Sequence, residues 1–126
     1  MASYKELFDA AKVKLDSEIT KERLRAKQEA TAFFETQKIN LVDYLLYNTI
    51  RKMERCVSTE FTEIRTFNKN IRFESDVYRA EFKNVLSKLI KSKLKELSPN
   101  YCIYDVYIEE TPLNSISIKI TMTLCE

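Results

Sequence analysis

Ile116-Ser117-Ile118-Lys119-Ile120-Thr121-Met122-Thr123-Leu124 alternates apolar and polar side chains without a break. A period of two marks a strand with one buried face. Upstream, Cys102, Tyr104, Val106 and Ile108 alternate with Ile103, Asp105, Tyr107 and Glu109. Between the two runs lies Glu110-Thr111-Pro112-Leu113-Asn114-Ser115, a turn built without glycine. Together they predict an antiparallel β-hairpin with one apolar face. A two-stranded hairpin is marginal alone in water. Its third strand would come from the extended piece Ile71-Arg72-Phe73 or from a neighbouring chain, since only Lys119 guards the 116–124 strand against such pairing.

Both prolines, Pro99 and Pro112, fall in this last quarter, and the 126 residues contain no glycine. The stretch before Pro99 therefore lacks the strongest helix breakers. Over 3–38, Phe8, Ala11, Leu15, Ile19, Glu22, Ala26, Ala30 and Phe33 are spaced 3, 4, 4, 3, 4, 4, 3. This 11-residue repeat predicts one long helix with a continuous stripe that Glu22 interrupts. The stripe suits either a seam between subunits or packing of an amphipathic helix on its own domain.

Asn40 predicts an N-cap, with Asp43 closing a shortened capping box. Segment 41–56 then carries Val42, Leu45, Leu46, Thr49, Ile50 and Met53 on one helical face. No strong breaker stands at 36–39, so direct passage from the first helix into the second stays open. In 57–74, Val57, Thr59 and Phe61 alternate, but Phe61, Ile64, Phe67 and Ile71 keep helical spacing. The expectation there is helix to about residue 66, then a turn at Asn68-Lys69-Asn70. Ser75 or Asp76 caps a helix over 76–97, with Tyr78, Phe82, Val85, Leu86, Leu89 and Leu97 on its apolar side. Ser98, before Pro99, ends it. The whole reads as a single α+β domain over 1–126. Three main α-helices, the first one long, fill 1–98, and a C-terminal antiparallel β-hairpin over 99–126 packs on them.

Composition limits the chemistry. Without glycine there is no phosphate-binding P-loop or dinucleotide fingerprint. Without histidine there is no Ser-His or Cys-His pair and no His-containing zinc site. Three cysteines with no CxxC spacing suit a reducing compartment. Cys102 and Cys125 differ in strand parity and should not bridge. Glu109 and Glu110 point to opposite strand faces and do not converge as a catalytic pair. No catalytic residue, cofactor, metal site or small-molecule substrate is expected, and the sequence points to a protein that is not an enzyme.

Two surfaces remain as interaction candidates. Phe8, Ala11, Leu15, Ile19, Ala26, Ala30 and Phe33 form a candidate seam for a homo-oligomer or a protein partner. Lys88, Lys91 and Lys95 share one face opposite the apolar side of the 76–97 helix and could contact phosphates. Tyr4, Tyr101 and Tyr107 stand apart from the apolar faces as interface anchors. Net charge is +1 over 1–60, +4 over 61–99 and −3 over 100–126. A basic middle and an acidic tail are complementary between copies. The expectation is a non-enzymatic structural or protein–protein interaction protein that self-associates. The alternative is a nucleic-acid-binding accessory protein using the basic helix face. The N-terminus lacks the apolar core of a signal peptide, and no apolar run is long enough to span a membrane. A cytoplasmic location follows, or one inside a virus particle. The Lys-, Asn- and Ile-rich, Ala-poor composition fits the AT-rich genome of a large DNA virus or phage.

Overall fold

The computed structural model describes residues 3–55, 58–68, 73, 75–97, 101–112 and 115–125. It shows α1 (Tyr4–Lys38), a π-helical turn (Ile39–Asp43), α2 (Tyr44–Arg55), β1 (Glu60–Asn68), α3 (Asp76–Leu97), β2 (Cys102–Thr111) and β3 (Ser115–Leu124). Helices cover one face of a three-stranded antiparallel sheet of order β1-β3-β2.

The first two helices form one helical path. Asn40 caps nothing; its side-chain amide donates to Gln37 Oε1 at 3.1 Å. The Tyr44 N–H instead reaches the Ile39 carbonyl, an i→i−5 bond that fits one extra residue into the helix. That residue has a geometric purpose. At about 100° per residue, an unbroken α-helix would carry Leu45 and Thr49 about 100° away from the Ala26 and Ala30 direction. Absorbing one residue in the wide turn returns them to that direction. Ala26, Ala30, Phe33, Phe34, Leu41, Val42, Leu45 and Thr49 are all buried.

The segment expected to be helical to residue 66 is strand β1. Phe61 and Phe67 face the helices opposite Met122 and Ile116 of β3. Between them Glu63 and Arg65 share that face but reach the flank of α2. Glu63 takes the Lys52 ammonium, and the Arg65 guanidinium lies 4.2 Å over the Tyr44 ring. Two charged residues in the middle of the inward row mask its period of two, while exposed Ile64 completes a false helical spacing with Phe61 and Phe67. Among the described residues the hairpin's third strand is therefore β1. Ile71 and Arg72 lie outside the described residues. β3, expected to be open for pairing, is the central strand, bonded on both sides.

Helix α3 begins where expected. The Ser75 hydroxyl accepts from the Tyr78 N–H at 3.1 Å and caps the helix. Tyr78, Phe82, Leu86, Ile90 and Leu94, four residues apart, form its buried row. Phe33, Phe67, Phe73, Tyr78 and Phe82 interlock around the junction of α1, β1 and α3. Phe33 meets Phe67 edge-on at 5.6 Å and lies 6.3 Å from Phe82. Such pairs add about 0.5–1.5 kcal/mol each beyond the area they bury.

Candidate functional site: an unpartnered helical arm

The α1 stripe has two halves with different surroundings. Ala26 and Ala30 are fully buried and Phe33 is 5% exposed, all in the core that α1 shares with α3. Phe8 is 74% exposed, and Ala11 and Leu15 are exposed as well; Ile19 is half-buried. Of the expected seam, the structure gathers Ala26, Ala30 and Phe33 into the molecule's own core. It leaves Phe8, Ala11 and Leu15 facing solvent.

The boundary between the halves is chemical. Glu22, which breaks the apolar stripe, accepts the Ser75 hydroxyl at 2.9 Å and the Arg25 guanidinium at 3.1 Å. Arg25 also lies 4.5 Å over the Tyr78 ring, and the Tyr78 hydroxyl donates to Glu29. This polar clasp fastens the start of α3 to α1. Every residue from Tyr4 to Glu18 is exposed. That is 15 residues, about 22 Å of helix at 1.5 Å per residue.

The arm's own start is secured. The Ser3 hydroxyl accepts from the Glu6 N–H at 3.2 Å, and Glu6 in the first turn suits the positive end of the helix dipole. The helix is nucleated by its packed half, so its first turns add one bond per residue. Tyr4, Leu7, Phe8 and Leu15 are nonetheless left bare.

The three lysines occupy the outer side of α3. Lys88 and Lys95 are exposed, Lys91 is half-buried, and none forms an ion pair among the described residues. Tyr101 and Tyr107 are exposed, like Tyr4. Cys102 points to the helices and Cys125 lies past the end of β3, and both are free thiols; Cys56 lies outside the described residues. Glu110 pairs with Arg79, which also holds Asp76 at 2.7 Å, while Glu109 is exposed. An apolar cavity of about 400 Å³ lies between the last turns of α2 and α3 and the inner face of β2–β3.

One cluster was not anticipated from the sequence. Tyr44, Tyr47, Arg51 and Arg55 run along one face of α2, and β1 brings Arg65 onto the Tyr44 ring. The spacing i, i+3, i+7, i+11 was there to be read, but Arg65 joins it only once 60–68 is a strand. No helix of the described residues is long and apolar enough to cross a membrane. No known protein family, curated protein or solved structure matches the chain.

Proposed function

We propose that the protein is a non-enzymatic structural or interaction protein that self-associates by antiparallel pairing of its α1 arm with that of a second copy. The observation that supports this is the stripe itself, one continuous helical face whose second half is core and whose first half is bare. Its composition suits a small component of a virus or phage.

The arm fits a copy of itself. In an antiparallel pair, Phe8 falls opposite the partner's Ile19 and Ala11 opposite the partner's Leu15. In the second of these pairs small meets large, which favours close packing. On the flank, Lys12 comes level with the partner's Asp16, and the two-fold axis repeats the contact. Aromatic side chains such as Tyr4 and Phe8 offer about 150–250 Å² each. With Leu15 and Ile19, two arms approach the roughly 1,000 Å² that a specific interface needs. A weak to moderate dimer is expected.

Sedimentation equilibrium tests this. Wild type dimerises with rising concentration, and Phe8→Asp or Leu15→Asp stays monomeric with an unchanged far-UV spectrum. Lys12→Glu weakens the dimer, and the exchange Lys12→Glu with Asp16→Lys restores it. A wild-type monomer at near-millimolar concentration, or a charge exchange that restores nothing, overturns the reading.

A further inference from the structure

We infer that the shoulder formed by α2 and β1 is a binding site for single-stranded nucleic acid, with Arg51, Arg55 and Arg65 on phosphates and Tyr44 and Tyr47 stacking on bases. The site uses none of the arm residues and goes beyond self-association.

Three observations meet there. First, Tyr44, Tyr47, Arg51 and Arg55 project within an arc of about 80° on α2, at about 100° per residue. Tyr44 is 49% and Tyr47 57% exposed, so flat aromatic surface faces solvent. Second, each ring carries a guanidinium. Arg65 lies 4.2 Å over Tyr44 and Arg51 lies 5.7 Å from the Tyr47 centroid. A guanidinium held against a ring is aimed rather than free, and arginine's planar fork suits phosphate oxygens. Third, Arg51, Arg55 and Arg65 have no carboxylate partner among the described residues. Of the neighbouring carboxylates, Glu63 is engaged by Lys52, while Asp43 and Glu54 are exposed and form no ion pair with these arginines among the described residues. A shallow depression of about 310 Å³ runs between Asn48, Arg51, Arg55 and Glu63.

Favourable placement of Lys52 and Arg55 in the last turn of α2, where they oppose the helix dipole, accounts for those two charges. It does not account for Arg51 and Arg65, nor for two exposed tyrosines interleaved with them. Arginines without carboxylate partners beside half-exposed aromatic rings match a single strand, which offers both phosphates and unstacked bases. A duplex hides its bases from such rings. The lysine face of α3 has no exposed aromatic on it, and so offers charge without stacking.

The test is fluorescence anisotropy with a labelled, mixed-sequence single-stranded DNA at low and physiological salt. Wild type binds, and binding weakens steeply with salt. Combined Arg51→Gln, Arg55→Gln and Arg65→Gln flattens the slope of log K against log salt by about 2, at roughly 0.7 per phosphate contact. Tyr44→Ala and Tyr47→Ala each weaken binding on the order of tenfold with little change of slope, and Tyr→Phe at either position retains it. Far-UV spectra confirm that the variants are folded. The monomeric Phe8→Asp variant binds like wild type, so failure of the arm reading leaves this result intact. Absence of binding at low salt overturns the proposal. So does binding that survives the arginine changes but is lost with Lys88, Lys91 and Lys95→Gln. Arginine-dependent binding indifferent to both tyrosines, or preference for anionic lipid vesicles over the oligonucleotide, also overturns it.

Discussion

The Ser75 hydroxyl donates to the Glu22 carboxylate at 2.9 Å while it accepts from the Tyr78 N–H at 3.1 Å. One oxygen thus caps α3 and ties it to α1. Loss of an N-cap costs about 0.5–2 kcal/mol. Ser75→Ala should fall at the upper end of that range, because Glu22 loses its donor too. Aspartate is ordinarily as good a cap as serine, but here it would set a second carboxylate against Glu22. Ser75→Asp is expected to be less stable than wild type, with stability recovered by Glu22→Gln. Urea unfolding of the two single variants and the double variant measures the coupling. Equal stability of Ser75→Asp and wild type would show that the two residues act independently.

Phe8 and Phe33 lie on the same stripe of the same helix, yet their truncation should differ sharply. Phe33→Ala opens the aromatic junction with Phe67 and Phe82 and should cost about 3–5 kcal/mol. Phe8→Ala should leave the monomer within about 0.5 kcal/mol of wild type. Unfolding at low protein concentration gives both values. A large loss from Phe8→Ala under those conditions would mean that the arm packs on its own body.

Deleting Asn40 should be tolerated. The deletion turns the wide turn into ordinary α-helix and keeps Leu45 and Thr49 in line with Ala26 and Ala30. Deleting Lys27 has no such relief and rotates the residues before it by about 100° relative to the core face. Cooperative melting is expected for the first variant, and a broadened or lowered transition for the second. Equal damage from both would show that the π turn does not serve to align the faces.

Burial pushes the Cys102 thiol above its ordinary pKa, opposed by a hydrogen bond with Tyr104 and supported slightly by the charge of Cys125. The folded protein therefore favours the protonated thiol. Its contribution to stability is complete below the ordinary thiol range and is lost as pH rises through the raised value. Wild type should lose stability relative to Cys102→Ala as the pH climbs through that range. Alkylation of Cys102 should also be slower in the folded than in the denatured protein. Parallel pH–stability curves for the two proteins would contradict this.

Strands β2 and β3 and helix α3 were legible because each keeps one period with few interruptions and ends at a strong signal, Ser75 or Pro99. β1 was not. Glu63 and Arg65 occupy inward positions at an edge where α2 offers Lys52 and the Tyr44 ring as partners, and nothing local announces those partners. The π turn was hidden for a related reason, since its role is the alignment of two faces on one body. The packing of the α1 stripe was half legible. Its spacing was plain, but which half is covered depends on where α3 begins, and that is set by Ser75 meeting Glu22 from 53 residues away. The α2–β1 shoulder was missed with β1 itself.

The order β1-β3-β2 also has a consequence for the life of the chain. Neither β1 nor β2 bonds to the other; both wait for residues 115–124, with Glu60 pairing Thr123 and Cys102 pairing Leu124. During synthesis, the helical path through Arg55 can form as it leaves the ribosome, while the sheet cannot begin until β3 has emerged. The nascent protein therefore shows its arm, and the rings and arginines of α2, before it has a closed core. Any partner taken up cotranslationally would meet those surfaces first.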